Sequence, residues 1–217
     1  MLKLFFPIIA LILGISIILL PKITYRLKGK GDNTKFSYLN CFPYEVVLNY
    51  TQRIVLLALG TLFVMFATQS YILTFIKCTN PMYYSGLFLE LISLIVFLGI
   101  LYFGLDYYKT HIVMSVIFFL TQIGADVLFF VAVMFKDYYP LEFNKVIGII
   151  MGVIGLILLV LLFIPQLKKW MYMEKTEENG TTIYVRPKVC SLAVVEWIFF
   201  LTQLINMILL IVNYFVI

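Results

Sequence analysis

Three carboxyls in this chain stand where carboxyls are expensive. Glu90, Asp126 and Glu196 lie inside long apolar runs of a protein whose Asp and Glu together number 11. A charged side chain at the centre of a membrane helix costs about 2.5–3.5 kcal/mol on insertion scales, so each is a functional candidate by default. Gln122 precedes Asp126 by one helical turn, on the same face, where the two side chains can hydrogen-bond. The chemistry this offers is a polar lining or a proton-sensitive site inside a bundle. The alternative is a protonated Asp126, bonded to Gln122 or to a neighbouring helix, that acts as packing glue. The packing role is the preferred reading.

A second set gathers around the single histidine, His111. Arg53, His111, Glu196 and Trp197 all fall at ends of apolar runs that the connectivity places on one side. Arg53 can pair with Glu196, and His111 can join by a hydrogen bond. The functional reading is a lipid-headgroup or catalytic site. The structural reading, which is preferred, is a clamp tying the second, fourth and sixth helices. Catalysis needs a nucleophile, a base and a stabiliser of developing charge. One histidine and scattered carboxyls form no recognisable set. Gly-x-Ser-x-Gly, His-Glu-x-x-His and a glycine-rich phosphate loop are all missing from the sequence. The reading therefore leans away from an enzyme.

Cys41, Cys78 and Cys190 show no metal-ligand spacing, so no structural zinc and no cofactor is expected. Cys41 and Cys190 fall on the same side, which admits a disulfide if that side is oxidising. Cys78 falls on the other.

The elements that must position these groups follow from composition. Hydrophobic residues make up 63% of the 217 and charged residues only 12%, against about 25% charged in ordinary soluble domains. A hydrocarbon core of about 30 Å takes roughly 20 apolar residues at about 1.5 Å each. Six stretches qualify: Leu4 to Leu20, Ile54 to Phe75, Met82 to Phe103, Ile112 to Phe135, Val146 to Ile164 and Leu192 to Val216. They are too long and continuous for barrel strands, and backbone groups in lipid must pair within their own segment, which leaves helices. The expected architecture is an all-α, six-helix transmembrane bundle in one polytopic domain over 1–217. Pro21 and Lys22 are expected to end the first span. The first span lacks a small-x-small cleavage site and reads as a retained helix. Tyr83, Tyr84, Tyr107, Tyr108, Tyr138, Tyr139, Trp170 and Tyr172 stand at span borders, as interfacial aromatics do.

In the fifth loop, Asn179-Gly180 sits between two short runs with strand character. Asn-Gly is a strong hairpin signal because both residues tolerate positive φ. A small β-hairpin is therefore expected there. Gly148, Gly152 and Gly155 form one stripe on the fifth helix and suit close helix packing within the chain.

The net charge of +5 comes from bases in the connections, which is membrane-flanking charge rather than a nucleic-acid footprint. Lys3, Lys77, Lys136 and Lys145 lie on the side of the termini. The other twelve of the 16 basic residues lie on the side of the odd-numbered loops. Charge bias alone puts those loops in the cytoplasm. The sequons Asn49-Tyr50-Thr51 and Asn179-Gly180-Thr181 point the other way, with Asn179 the candidate for glycosylation.

Three places in the chain, read together, resemble one family. Phe42-Pro43-Tyr44 in the first loop resembles the proline-tyrosine element of the damage-regulated autophagy modulators. His111 opens an apolar run, as a histidine does there. Trp170 is followed by the acidic and aromatic hairpin and then by Val189-Cys190-Ser191-Leu192-Ala193-Val194-Val195-Glu196-Trp197, which resembles that family's approach to its sixth helix. After Tyr44 the chain departs from the family pattern, reading Glu45 to Arg53 without the usual Ser, Asp and Gly. The wider superfamily includes proteins of GPI-anchor lipid remodelling and a fungal plasma-membrane regulator of phosphoinositide kinase. The resemblance implies both termini in the cytoplasm, a lumenal hairpin, and a non-enzymatic regulator that binds membrane lipids or membrane or cytosolic proteins. It implies lysosomal or other endomembranes, or the plasma membrane. A lipid-remodelling factor of the secretory pathway is the alternative.

Overall fold

A computed structural model describes residues 2–27, 37–39, 41–43, 50–76, 78, 80–103, 107–135, 143–163, 174–178, 181–185 and 189–216. Its elements are α1 (Leu2–Leu27), α2 (Tyr50–Phe75), α3 (Pro81–Tyr102), α4 (Tyr108–Met134), α5 (Lys145–Leu162), β1 (Glu174–Glu178), β2 (Thr181–Val185) and α6 (Ser191–Val216). All six helices are long and apolar enough to cross a membrane. The protein is a multi-pass, all-α membrane bundle with a small hairpin in its fifth loop.

The hairpin is antiparallel, with Glu178 opposite Thr181 and Glu174 opposite Val185. Asn179 and Gly180, expected to make its turn, lie outside the described residues. So do Tyr44, Asn49 and Trp170.

Helix starts follow local chemistry. Asn80 caps α3, its Oδ1 accepting from Met82 N at 2.9 Å, and Pro81 takes the first helical position, where no N–H is needed. Asn144 caps α5 in the same way through Val146 N at 2.9 Å. The first helix departs from expectation, since α1 runs past Pro21 to Leu27. Proline removes one backbone hydrogen bond, and here it does so just beyond the apolar window that ends at Leu20. The helix therefore continues into its polar end.

Helices α1 to α5 pack mainly on their sequence neighbours, while α6 touches α1, α2, α4 and α5. Accordingly 61% of the apolar window of α6 is buried inside the protein, against 22% for α1. The core divides into layers. Phe63, Phe97, Phe118, Phe119, Phe199 and Phe200 form one aromatic layer, with ring centroids 4.3–6.0 Å apart. Phe75, Tyr83, Phe129 and Phe143 form a second, toward the opposite helix ends. Between them along α3, α4 and α6 come the buried polar residues Glu90, Asp126, Gln203 and Asn206.

Candidate functional site

His111 occupies the first turn of α4 and is 0% exposed, with Ser115 at 1% and Glu196 at 2%. Its Nδ1 lies 3.0 Å from the carbonyl oxygen of Phe103, the residue that ends α3. A carbonyl can only accept, so Nδ1 carries a proton. Its Nε2 lies 3.0 Å from Glu196 Oε1 on α6. That bond needs one proton, on the imidazole or on the carboxyl, so the pair as a unit is neutral either way. A neutral pair escapes most of the cost of burying a net charge. The Ser115 hydroxyl sits 2.7 Å from Glu196 Oε1 and 2.9 Å from the His111 carbonyl oxygen.

A piece of the first loop seals this pair. The Trp197 indole N–H donates to the Cys41 carbonyl at 2.8 Å, across 156 residues of sequence. The Cys190 N–H donates to the Leu39 carbonyl at 2.7 Å. Tyr38 packs edge-on to Trp197 at 5.1 Å, and its hydroxyl donates to the Ile18 carbonyl at 2.7 Å. Burial pushes the Tyr38 phenol above its ordinary pKa, which keeps it a donor. Phe42 meets the His111 ring edge-on at 5.5 Å. The first loop, α1, α3, α4 and α6 are thereby fastened at one point.

Of the four residues expected to cluster, His111, Glu196 and Trp197 do so. Arg53 does not pair with Glu196. Its Nη2 donates to the Tyr102 carbonyl at 2.9 Å, and its side chain is exposed. The last carbonyls of a helix lack intrahelical donors and carry the negative end of its dipole, so they attract a nearby guanidinium. Arg53 and His111 thus share the end of α3, while Glu196 stays inside. Ser115 was missed, although its spacing of four from His111 placed it on the same helical face.

Cys41 and Cys190 lie in segments that touch, but both sulfurs are thiols. The Cys190–Leu39 and Trp197–Cys41 main-chain contacts join the segments and do not require a covalent bridge. Trp197→Phe removes the indole donor while keeping an aromatic ring. It should cost about 1 kcal/mol, the net worth of one hydrogen bond. It should also speed alkylation of the half-buried Cys41, read by mass spectrometry.

The second expected set is rearranged. The Gln122 amide donates to the Phe199 carbonyl at 3.2 Å and not to Asp126. Asp126 Oδ1 instead accepts from Asn206 Nδ2 at 3.0 Å. The neighbouring helix wins because Asn206 is brought opposite Asp126 by α6 packing, while Gln122 turns toward the backbone of the same helix. Glu90 is 0% exposed, and the polar groups beside it are Tyr71 and Gln203. The Gln203 amide donates to Ser93 Oγ at 3.2 Å. Gln203, Asn206 and Tyr71 were not singled out in the sequence; a Gln and an Asn three apart in an apolar helix were the available signal. Among the described residues no group of three or more His, Cys, Asp or Glu converges. This chain matches no known family model, no curated protein and no solved structure.

Proposed function

We propose that this protein is a non-enzymatic regulator of the damage-regulated autophagy modulator type, resident in lysosomal or other endomembranes. It acts through lipid or protein partners engaged near the sealed end of the bundle. Both termini face the cytoplasm in this reading, and the first and fifth loops face the lumen. One observation supports it above the others. The sequence elements that resemble the family, Phe42-Pro43, His111 and Cys190 to Trp197, are scattered along the chain yet meet at one place. There Phe42 touches His111, His111 bonds Glu196, and Trp197 holds Cys41. A motif set that converges in space works as a unit, and a unit that fixes a loop on a helix bundle presents a defined surface to a partner.

The Ser115–Glu196–His111 contact favours a second reading, a lipid-remodelling factor, because it links a hydroxyl, a carboxyl and an imidazole. Cells expressing Trp197→Phe or Glu196→Gln in place of the native chain separate the two. Under the regulator reading these variants lose the autophagic response while acyl composition of GPI-anchored proteins stays unchanged. Altered acyl composition with normal trafficking and normal autophagic flux would replace it with the remodelling reading.

A further inference from the structure

The polar layer between the two aromatic layers has an excess of oxygen that the bundle itself leaves unpaired. Glu90 on α3 and Asp126 on α4 are both 0% exposed, as are Tyr71 on α2 and Gln203 and Asn206 on α6. Glu90 lies nine residues from the start of α3 and Asp126 eight from the end of α4. These two helices are antiparallel, so the carboxyls share one depth. Tyr71 and Gln203 sit beside Glu90. Asn206 sits beside both Tyr71 and Asp126.

Each amide side chain uses one of its two N–H groups elsewhere. Asn206 donates to Asp126 Oδ1, and Gln203 to Ser93. Each keeps its oxygen and one N–H. Both Glu90 oxygens, Asp126 Oδ2, Asn206 Oδ1, Gln203 Oε1 and the Tyr71 phenol oxygen have no hydrogen-bond partner. Tyr71 has one proton to give and each amide one further N–H, so with both carboxyls ionised these six oxygens face three donors. Buried polar atoms in native proteins are nearly always paired, so such a set calls for a partner from outside the chain.

The character of that partner follows from charge and hardness. The basic residues of the helices stand at or near helix ends: Lys3, Arg53, Lys109 and Lys145 are each within the first turn of their helix, and Lys22 and Arg26 lie in the last two turns of α1. None is placed to neutralise Glu90 or Asp126. The donor atoms are all oxygen, which suits hard cations and not zinc or copper. Mg2+ gives up its waters reluctantly and seldom sits in an all-protein cage, whereas Ca2+ accepts irregular sets of carboxylate and amide oxygens. Na+ accepts the same oxygens. Ca2+ balances two ionised carboxyls, and Na+ balances one while the other keeps its proton. Gly155 on α5 packs against Asp126 Cβ and closes that side without a polar group.

We propose that Glu90, Asp126, Gln203, Asn206 and Tyr71 form an intramembrane binding site for a hard, readily dehydrated cation, Na+ or Ca2+. The site does not depend on the autophagy-modulator reading, and its ligands share no residue with the His111 clamp. It gives the bundle a cation-dependent stability.

The full chain, purified in mild detergent, is melted in choline chloride and in Na+, K+, Mg2+ or Ca2+ chloride at matched ionic strength. Na+ or Ca2+ should raise Tm saturably, by about 5–10 °C at a hundredfold excess over its Kd. The effective ion identifies the source. Glu90→Gln and Asp126→Asn should abolish that response, while Asn213→Ala, outside the layer, keeps it. Should the layer variants fail to fold, elemental analysis of the native chain decides, with about one Na+ or Ca2+ retained per chain expected. Equal Tm in all salts with no ion retained overturns the proposal and leaves protons as what neutralises the carboxyls. A response that survives Glu90→Gln and Asp126→Asn overturns it as well.

Discussion

Replacing His111 with alanine should destabilise the bundle by about 3–5 kcal/mol, the range for breaking one partner out of a buried pair. That corresponds to a fall in Tm of about 10 °C for a chain of this size, read by thermal unfolding in detergent. Three losses add up. Glu196 Oε1 keeps only Ser115, the Phe103 carbonyl at the end of α3 loses its donor, and Phe42 loses the ring it packs on. The loss comes from broken pairing rather than from lost bulk, and a second variant tests that distinction. Changing both partners, His111→Leu with Glu196→Met, leaves no orphaned carboxyl, and isosteric apolar replacement of a buried pair is often near neutral. The double variant should therefore be more stable than His111→Ala alone. If the two fall equally, the pair is not what holds this end together. Arg53→Ala is the control. It removes one exposed hydrogen bond to Tyr102 and should cost no more than about 1 kcal/mol.

The next largest effect should come from a residue with no side chain. A Cβ placed on Gly152 of α5 falls on Phe130 Cβ of α4, with Phe130 Cγ at 2.5 Å. Cβ is fixed to the backbone, so no rotamer relieves the clash, and the helices must separate. Gly152→Ala should cost about 1–3 kcal/mol, toward the upper end, because overpacking at a helix contact shifts backbone. Gly14→Ala gives the contrast. Its Cβ meets the tip of Leu204, the far end of a flexible side chain that can turn away. Its cost should stay below about 1 kcal/mol. Comparing the two melting temperatures checks both. A milder loss at Gly152 than at Gly14 would mean that α4 and α5 are not locked at this seam.

Gly148, Gly152 and Gly155 illustrate what could be read from spacing. Their stripe announced a close helix contact, and it is filled from within the chain by Val133, Phe130 and Asp126 of α4. The spans were equally legible, because membrane hydropathy is summed over about 20 consecutive residues and needs no knowledge of neighbours. The polar caps at Asn80 and Asn144 are local for the same reason. His111 and Glu196 could be named as candidates because a histidine and a carboxyl are rare in such surroundings.

What the one-dimensional chain determined, then, is six helices, their ends to within about four residues except at Leu27, a hairpin, and which residues are costly where they stand. Partner choice was decided in three dimensions. Arg53 went to the end of α3 and not to Glu196, Asp126 to Asn206 and not to Gln122, and Trp197 to a carbonyl 156 residues away. The two aromatic layers with a polar layer between them also emerged only there. The physical reason is that these helices are apolar nearly all round, so their sequences do not say which face turns inward. Rotation and crossing are settled by packing, by close approach at glycine and by the few polar groups that must find one another. Those distances exist only between elements, and no spacing along a single helix encodes them.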